Sequence, residues 1–565
     1  MARTVDRRSM VKSAAAAVTA ACLWLRAHAG APVWRTRTVG PFIEVEINSG
    51  RIRGGHSRGA LAFKGIPYAG PVSGPNRFKA APKVIPWTGV RDATVLGPPA
   101  MQGPGTTYGE HEPPYSEDCL VLNVWTPAVN DGGKRPVMFY CHGGGFTTGS
   151  GGQTIQDGAH LAAAYDVVVV ASNHRLGLFG YLYLGELGGE EYSTSGNQGI
   201  LDIVAALAWV KENIATFGGD PGNVLLFGES GGGFKTCALM AMPTAHGLFH
   251  KAGIQSGPML RAIPKDIATE TARRLLAGLG LGPRDLHQLT TVPAKKLLEI
   301  QLAGAAGQGP LAVPTPDYLA RHSQRPADVA LLRPAQAGNW GAVLDGTYLP
   351  QNPFDPAAPA ISAAIPLLIG NTRDEAVFFE REHPQFFKAD AAAVNALAHQ
   401  LVGAAAPEVL AVYRHAMPGS TPVEHAIAIE TALRMGNDTV LLADRKSLQP
   451  APVYRYLNDY QSNVPVAGTD WTLRAGHATD IAVTFANSEI PDLQGDGPGL
   501  AAAAQAMSGF FASFARSGVP AAAGQPAWPR YDTQRRAVML LNSECRVADD
   551  PNSEERRLWQ SLGLA

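Results

Sequence analysis

Three uninterrupted apolar runs constrain this chain more than any other feature. Pro136-Val-Met-Phe-Tyr-Cys141 leads into His142-Gly143-Gly144-Gly145-Phe146, Val167-Val-Val-Val-Ala-Ser172 leads into Asn173-His-Arg175-Leu-Gly177, and Val224-Leu-Leu-Phe227 leads into Gly228-Glu229-Ser230. Short runs without polar alternation read as strands buried on both faces. Between the second and third, Leu201, Val204, Leu207, Ala208, Val210 and Ile214 recur at helical spacing across Ile200 to Phe217, and Gly218-Gly219 with Asp220-Pro221-Gly222 ends that helix. The runs Ala252 to Gln255, Ile365 to Ile369 and Val453 to Leu457 continue the alternation. Strand, helix, strand predicts an α/β fold with a mostly parallel central sheet and helices on both faces. Such sheets bind ligands beyond the carboxyl ends of their strands.

A chain of 565 residues, 45% hydrophobic and 17% charged, has ample material for a large core. Its formal net charge of −1 and its lack of Lys/Arg runs leave phosphate-backbone binding without electrostatic support, so nucleic acid is not an expected partner.

The N-terminus reads as an address. Arg7-Arg8 precedes an Ala-rich apolar run, Ser13 to Leu25, too short to span a bilayer but suited to the apolar region of a signal. Ala27-His28-Ala29 places small residues at both cleavage-recognition positions, so residues 1–29 are expected to be a twin-arginine-type signal and 30–565 a single catalytic domain with helical insertions. That address implies an exported, periplasmic or secreted protein. Cys22 offers a rival reading as a lipid-bearing cysteine, although Thr19 stands where that motif usually has a bulky aliphatic residue. No other segment is apolar enough to cross a membrane.

Past the signal lie Cys119, Cys141, Cys237 and Cys545, with no evident disulfide framework; Cys141 and Cys237 sit among apolar residues, as small buried thiols do. Neither C-x-x-C nor H-E-x-x-H spacing occurs, so no metal site and no cofactor are expected.

Gly228-x-Ser230-x-Gly232 follows a buried strand and precedes a helix, the context of a nucleophile elbow, where a serine is presented on a turn too tight for neighbouring side chains. A phosphate-binding loop is the competing reading, and it fails because Phe234 stands where the glycine before Lys235 is needed. A serine hydroxyl needs a base, an acid and an anion-stabilising pocket before it does chemistry. His142-Gly143-Gly144-Gly145 supplies the pocket: Gly144 and Gly145 would each donate a backbone N–H to one oxyanion, and Gly231 a third. The alternative for these glycines is a merely flexible turn.

Taken together, Ser116-Glu-Asp-Cys-Leu-Val-Leu-Asn123, His142-Gly-Gly-Gly-Phe146, Asn173-His-Arg-Leu-Gly177, Gly196-Asn-Gln-Gly-Ile-Leu-Asp202, Phe227-Gly-Glu-Ser-Gly-Gly232 and Gln255-Ser-Gly257 resemble the type-B carboxylesterase family, the cholinesterase-like branch of the α/β-hydrolases. The matches run from Phe63-Lys-Gly-Ile-Pro67 to Trp528-Pro-Arg-Tyr531. The resemblance implies a serine carboxylesterase acting on a small ester, with Ser230 as nucleophile. By the same resemblance Glu375, in Ile369-Gly-Asn-Thr-Arg-Asp-Glu375-Ala, orients the imidazole; Asp374 is the local rival, and Ala376 replaces the family's usual glycine. Nine of the 15 histidines follow Ser230. Among them His477, in Arg474-Ala-Gly-His477-Ala-Thr-Asp480-Ile, resembles the catalytic one, with Asp480 where a glutamate is commoner. Glu229 and Ser256 are implied as supporting residues, and Arg77–Glu117 and Arg175–Asp202 as scaffold ion pairs. Disulfide-bearing relatives pair the motif cysteine with one upstream; Ala100 occupies that position here, so Cys119 is expected to be unpaired. Non-catalytic adhesion relatives, and hydrolases of amides, carbamates or polyesters with the same triad, are the alternative functions. The triad's presence argues against the first and does not separate the others.

Overall fold

In each strand built from the apolar runs, successive side chains enter two different cores. A computed structural model describes residues 41–103, 113–312 and 340–563. The described chain begins with β1 (Ile43–Ile47), β2 (Gly50–Ser57), β3 (Ala60–Pro67) and β4 (Val90–Asp92). It continues through β5 (Val121–Thr126), β6 (Arg135–Cys141), β7 (Val168–Ser172), β8 (Gly219–Glu229) and β9 (Lys251–Gln255). After the short parallel pair β10 (Ile263–Pro264) and β11 (Val343–Leu344) come β12 (Leu367–Thr372) and β13 (Val453–Asn458). The antiparallel pair β14 (Ser462–Pro465) and β15 (Thr472–Arg474) precedes β16 (Ala537–Leu541) and β17 (Arg546–Asp549).

The main sheet runs β1-β2-β3-β5-β7-β6-β8-β9-β12-β13-β16-β17, with β4 pairing to β2. From β7 to β16 every neighbour is parallel, whereas both flanks are antiparallel apart from β4. Along β6, Val137, Phe139 and Cys141 join one core while Met138 and Tyr140 join the other; in β8, Val224 and Leu226 part in the same way from Leu225 and Phe227. This period of two places helices on both faces, because each face of the parallel region must be covered. Each large side chain so buried contributes about 1.5–3 kcal/mol relative to exposure. This is the α/β-hydrolase fold, with a mostly parallel central sheet.

Helices Lys265–Gly278 and Ala294–Ala305 occupy the stretch after Pro258, and Ala391–Val402, Ala406–Ala416, Pro422–Thr431 and Asn437–Ser447 the stretch after Glu380. These helices form the insertions expected within the catalytic domain. The amphipathic segment before β8 is helical over Gln198–Asn213 and tightens into a 3-10 turn at Ile214–Phe217. One local reading needs correction. Gly219 to Gly222, expected only to stop that helix, already belongs to β8: Gly219 pairs with Arg135, and a register shift occurs before Val224 meets Val137. Pairing with the edge of β6 outweighs the turn preference of Asp-Pro-Gly.

The scaffold ion pairs form as expected. Arg77 grips Glu117 through Nε and Nη2 at 2.6 and 2.7 Å, and Arg175 grips Asp202 at 2.8 and 2.7 Å in a fully buried site. Arg77 also donates to the carbonyls of Leu289 and Val292, and Arg175 to that of Lys79, so each guanidinium pins distant segments together. Their role is geometric, since desolvation offsets much of a buried pair's attraction.

Among the described residues Cys119, Cys141, Cys237 and Cys545 are all free, and Ala100 pairs through its backbone with Ser116, three residues before Cys119. Denatured, unreduced protein lacking residues 1–29 should therefore titrate as four thiols. A count of two would require a bridge absent from this fold. Residues 1–29, including Cys22, lie outside the described residues.

Candidate active site

Four adjacent parallel strands end on the same side of the sheet, and each delivers a part of the site just past its last residue. β6 leads to the glycine loop, β8 to Ser230, β9 to Ser256 and β12 to Glu375; β13, next in order, leads through the β14–β15 hairpin to His477.

Ser230 adopts φ 54° and ψ −121°, an unfavourable region for a residue with a side chain, and is partly exposed. The surrounding turn enforces that conformation. A Cβ on Gly232 would lie 1.9 Å from the carbonyl oxygen of Cys141, and one on Gly231 2.0 Å from that of Gly145. The glycine pattern is thus a packing requirement: the start of helix Gly231–Ala241 presses directly on the glycine loop. Gly144 and Gly145 hold φ of 79° and 61°. Among the described residues the backbone N–H groups of Gly144, Gly145 and Gly231 have no protein acceptor. Three donors are therefore left open beside the serine.

Glu375 begins helix Glu375–Glu380 and is fully buried. Its Oε1 accepts from Ser256 Oγ at 2.6 Å and from the Thr372 N–H at 2.7 Å, while Oε2 makes a short bond to His477 Nδ1. Asp374 faces elsewhere. It accepts from the Ala475 N–H at 3.3 Å and lies 3.7 Å from Arg474 Nε, fastening the segment that leads to His477 without touching the imidazole. Burial pushes the Asp374 carboxyl above the usual range, against the pull of Arg474.

His477 is 3% exposed and is flanked by the rings of Phe378 and Phe379, at 5.5 and 4.8 Å between centroids. Its Nε2 lies 3.3 Å from Glu229 Oε1 without hydrogen-bond alignment, and no hydrogen bond joins it to Ser230 Oγ. Burial opposes charge on the imidazole, but Glu229 and Glu375 outweigh it and raise its pKa to about 9. Burial raises Glu229 to about 8, a shift that His477 moderates and Asp480 reinforces. Asp480, behind them, is raised to about 6 by burial despite hydrogen bonds from Gln255 and Tyr456, both at 3.1 Å. The pocket therefore surrounds one imidazole with three buried carboxyl groups.

A cavity of about 310 Å³ opens beside the glycine loop. Phe146, which comes directly after Gly145, and Phe234, whose N–H bonds the Ser230 carbonyl, form part of its wall together with Met259 and Trp340. No cluster of His, Cys, Asp or Glu among the described residues has the arrangement of a metal site, and no described helix is long and apolar enough to cross a membrane.

All the residues singled out from sequence, Ser230, Glu375, His477, Gly144, Gly145, Gly231, Glu229 and Ser256, are thus gathered at one end of the sheet. Sequence reading missed Phe378, Phe379 and the Thr372 N–H. It weighed Lys235 only within the rejected phosphate loop and did not place it at the site, although a lone charge in a largely apolar helix was its signal.

An elbow of this shape at the end of the central parallel strand belongs to the serine hydrolases of the α/β-hydrolase class. The chain belongs to the carboxylesterase family, whose model matches residues 42–559. It is 34% identical over 533 residues to para-nitrobenzyl esterase of Bacillus subtilis (strain 168), an alignment covering 92% of this chain and 99% of that protein. To phenmedipham hydrolase of Pseudarthrobacter oxydans it is 32% identical over 507 residues, covering 87% and 94%. The crystal structure of Geobacillus stearothermophilus carboxylesterase EST55 at pH 6.2 matches with a TM-score of 0.77 at 36% identity, covering 92% of this chain and all of that one. The protein is a serine-hydrolase-type esterase.

Proposed function

We propose that Ser230, His477 and Glu375 act as nucleophile, base and acid in a two-step hydrolysis of uncharged short-chain or aryl carboxylic esters. The observation that carries the reading is the buried Glu375–His477 pair set beside a serine on a positive-φ turn and three backbone donors without acceptors. The neutral form of His477, which gains ground as pH rises toward its pKa of about 9, takes the Ser230 proton as Oγ attacks the ester carbonyl, and Glu375 stabilises the imidazolium. Gly144, Gly145 and Gly231 hold the oxyanion; the imidazolium then protonates the departing alcohol. Water repeats the sequence on the acyl-enzyme and releases the acid. The separation of Ser230 Oγ from Nε2 closes on rotation of the serine when substrate arrives, as catalytic hydrogen bonds often tighten only in the complex. No step calls for a metal or cofactor.

The substrate preference rests on the largely apolar cavity, where Phe146, Phe234 and Trp340 stand with Arg261 and Asp438 as the charged lining residues, and on the sequence ahead of Cys119. The stretch from Gly103 to Glu117 contains Tyr108 and Tyr115 but no tryptophan, and Gly109 lies ten residues before Cys119, about where cholinesterases carry the tryptophan that attracts a quaternary ammonium. Residues 104–112 lie outside the described residues. A desolvated cation–ring contact is worth about 2 kcal/mol. Without it an uncharged butyrate ester should exceed butyrylcholine in kcat/KM by at least the roughly tenfold that 1.4 kcal/mol represents. Equal or higher values for the choline ester would overturn this preference. The name of the para-nitrobenzyl esterase relative, which denotes a benzylic ester, supports an aromatic ring on the alcohol side of the substrate without distinguishing aryl from arylmethyl esters.

Export through residues 1–29, with the mature chain periplasmic or secreted, is likewise our proposal and rests on the Arg7-Arg8 sequence and the apolar run after it; lipid attachment at Cys22 is the rival address.

A further inference from the structure

One buried amine beside the site takes no part in the proton transfer between Ser230 and His477 or in the pairing of His477 with Glu375. Lys235, the fifth residue of helix Gly231–Ala241, is completely buried. Its Nζ donates to the His142 carbonyl at 3.0 Å and stands 5.7 Å from the centre of the Phe146 ring. His142 and Phe146 are the two ends of the glycine loop, so a single ammonium holds both against the helix that begins one residue after Ser230.

Among the described residues no carboxylate pairs with this lysine. Its titratable neighbours are Cys141 and the stacked rings of His142 and His174, 4.4 Å apart, and the lysine helps burial keep both imidazoles uncharged. Burial lowers the Lys235 pKa to about 7. A buried cation without a counter-ion is costly, and an apolar side chain of similar length would fill the same space without that cost. The cost has a purpose if an anion forms nearby during turnover. The loop that Lys235 touches is the one whose Gly144 and Gly145 N–H groups lack acceptors, and Gly231, on Lys235's own helix, supplies the third.

We propose that Lys235 is a positioning residue of the oxyanion pocket, fixing the His142–Phe146 loop against the nucleophile helix and lending its charge to the anion that forms there. The proposal rests on the assignment of Ser230 as nucleophile. Its effect falls on the transition state, because only there does the substrate oxygen carry the charge.

The test compares Lys235→Met, which removes donor and charge, with Lys235→Gln, which keeps a donor alone, on an uncharged butyrate ester and on a trifluoromethyl ketone of the same acyl chain. The ketone adds to the serine and places an oxyanion in the pocket. Lys235→Met should lower kcat on the order of 10–100-fold with KM within about twofold, and weaken ketone inhibition by the same factor as kcat/KM. Lys235→Gln should retain part of both. A folded variant, judged by an unchanged cooperative melting transition, that keeps parental kcat would overturn the proposal. So would one that loses kcat while binding the ketone as tightly as the parent. If Lys235→Met does not fold, the Lys235→Gln values decide by the same criteria. A parent enzyme that the ketone does not inhibit would overturn the Ser230 assignment itself, a different outcome from parent inhibition that Lys235 variants leave unchanged.

Discussion

Ser230→Ala should abolish nearly all turnover, lowering kcat on the order of 10⁴-fold or more, while leaving the melting temperature close to the parent's. The expectation comes from the contacts of the side chain. Oγ makes no hydrogen bond to His477, and the backbone bonds of the turn, Ser230 N–H to the Gln255 carbonyl at 2.8 Å and Phe234 N–H to the Ser230 carbonyl at 3.1 Å, survive the substitution. The attacking atom disappears and no packing goes with it. Alanine at φ 54° is strained as serine is, so any change in stability is small. Residual activity would come from the glycine donors and from binding, which remain. A variant retaining more than a few per cent of parental kcat would mean that another group attacks the ester.

Glu375→Gln should cost on the order of 10³–10⁴-fold in kcat, and Asp374→Asn less than about tenfold. The Thr372 N–H can only donate, so it fixes an oxygen at the Oε1 position, and the new amide must turn its NH₂ toward His477 Nδ1. Nδ1 then has to accept, the ring proton moves to Nε2, and the base that should receive the serine proton is already occupied. The loss is one of tautomer, so circular dichroism and melting should change little. Asp374 meets the Ala475 N–H, Gln461, Arg373 and Arg474 rather than the imidazole, and an asparagine there keeps the acceptor for the Ala475 N–H. A larger loss for Asp374→Asn than for Glu375→Gln would move the acid's role to Asp374.

Much of this site was legible because its parts lie at the ends of strands that announce themselves. The runs ending at Cys141, Phe227 and Ile369 are apolar without interruption, the one before Gln255 nearly so, and a parallel sheet brings the loops at their carboxyl ends side by side. Order along the chain then becomes proximity in space. The edges were harder to read. Ile43, Val45 and Ile47 alternate as a half-buried strand should, yet such alternation over β1 alone is too short to separate from loop. Ala537–Leu541 resembles any other buried segment until its pairing with β13 is seen. The cavity was unreadable in principle: Phe146, Phe234, Met259 and Trp340 come from four separated segments, and their convergence depends on helical insertions whose packing is non-local. Lys235 was hidden by convention, since a single lysine in a helix normally reaches solvent, and only the burial of every residue of Gly231–Ala241 but Phe234 shows that this one does not.

The central claim is that Ser230 is the nucleophile of this esterase. A fluorophosphonate reacts with an activated serine and stays attached, so incubation of the parent protein with it, then proteolysis and mass spectrometry, identifies the attacking atom directly. The account predicts one adduct per chain, on the peptide bearing Phe227-Gly-Glu-Ser230, with esterase activity lost in step with labelling and no label on Ser230→Ala. Labelling of a different residue, or loss of activity with Ser230 unmodified, would contradict it.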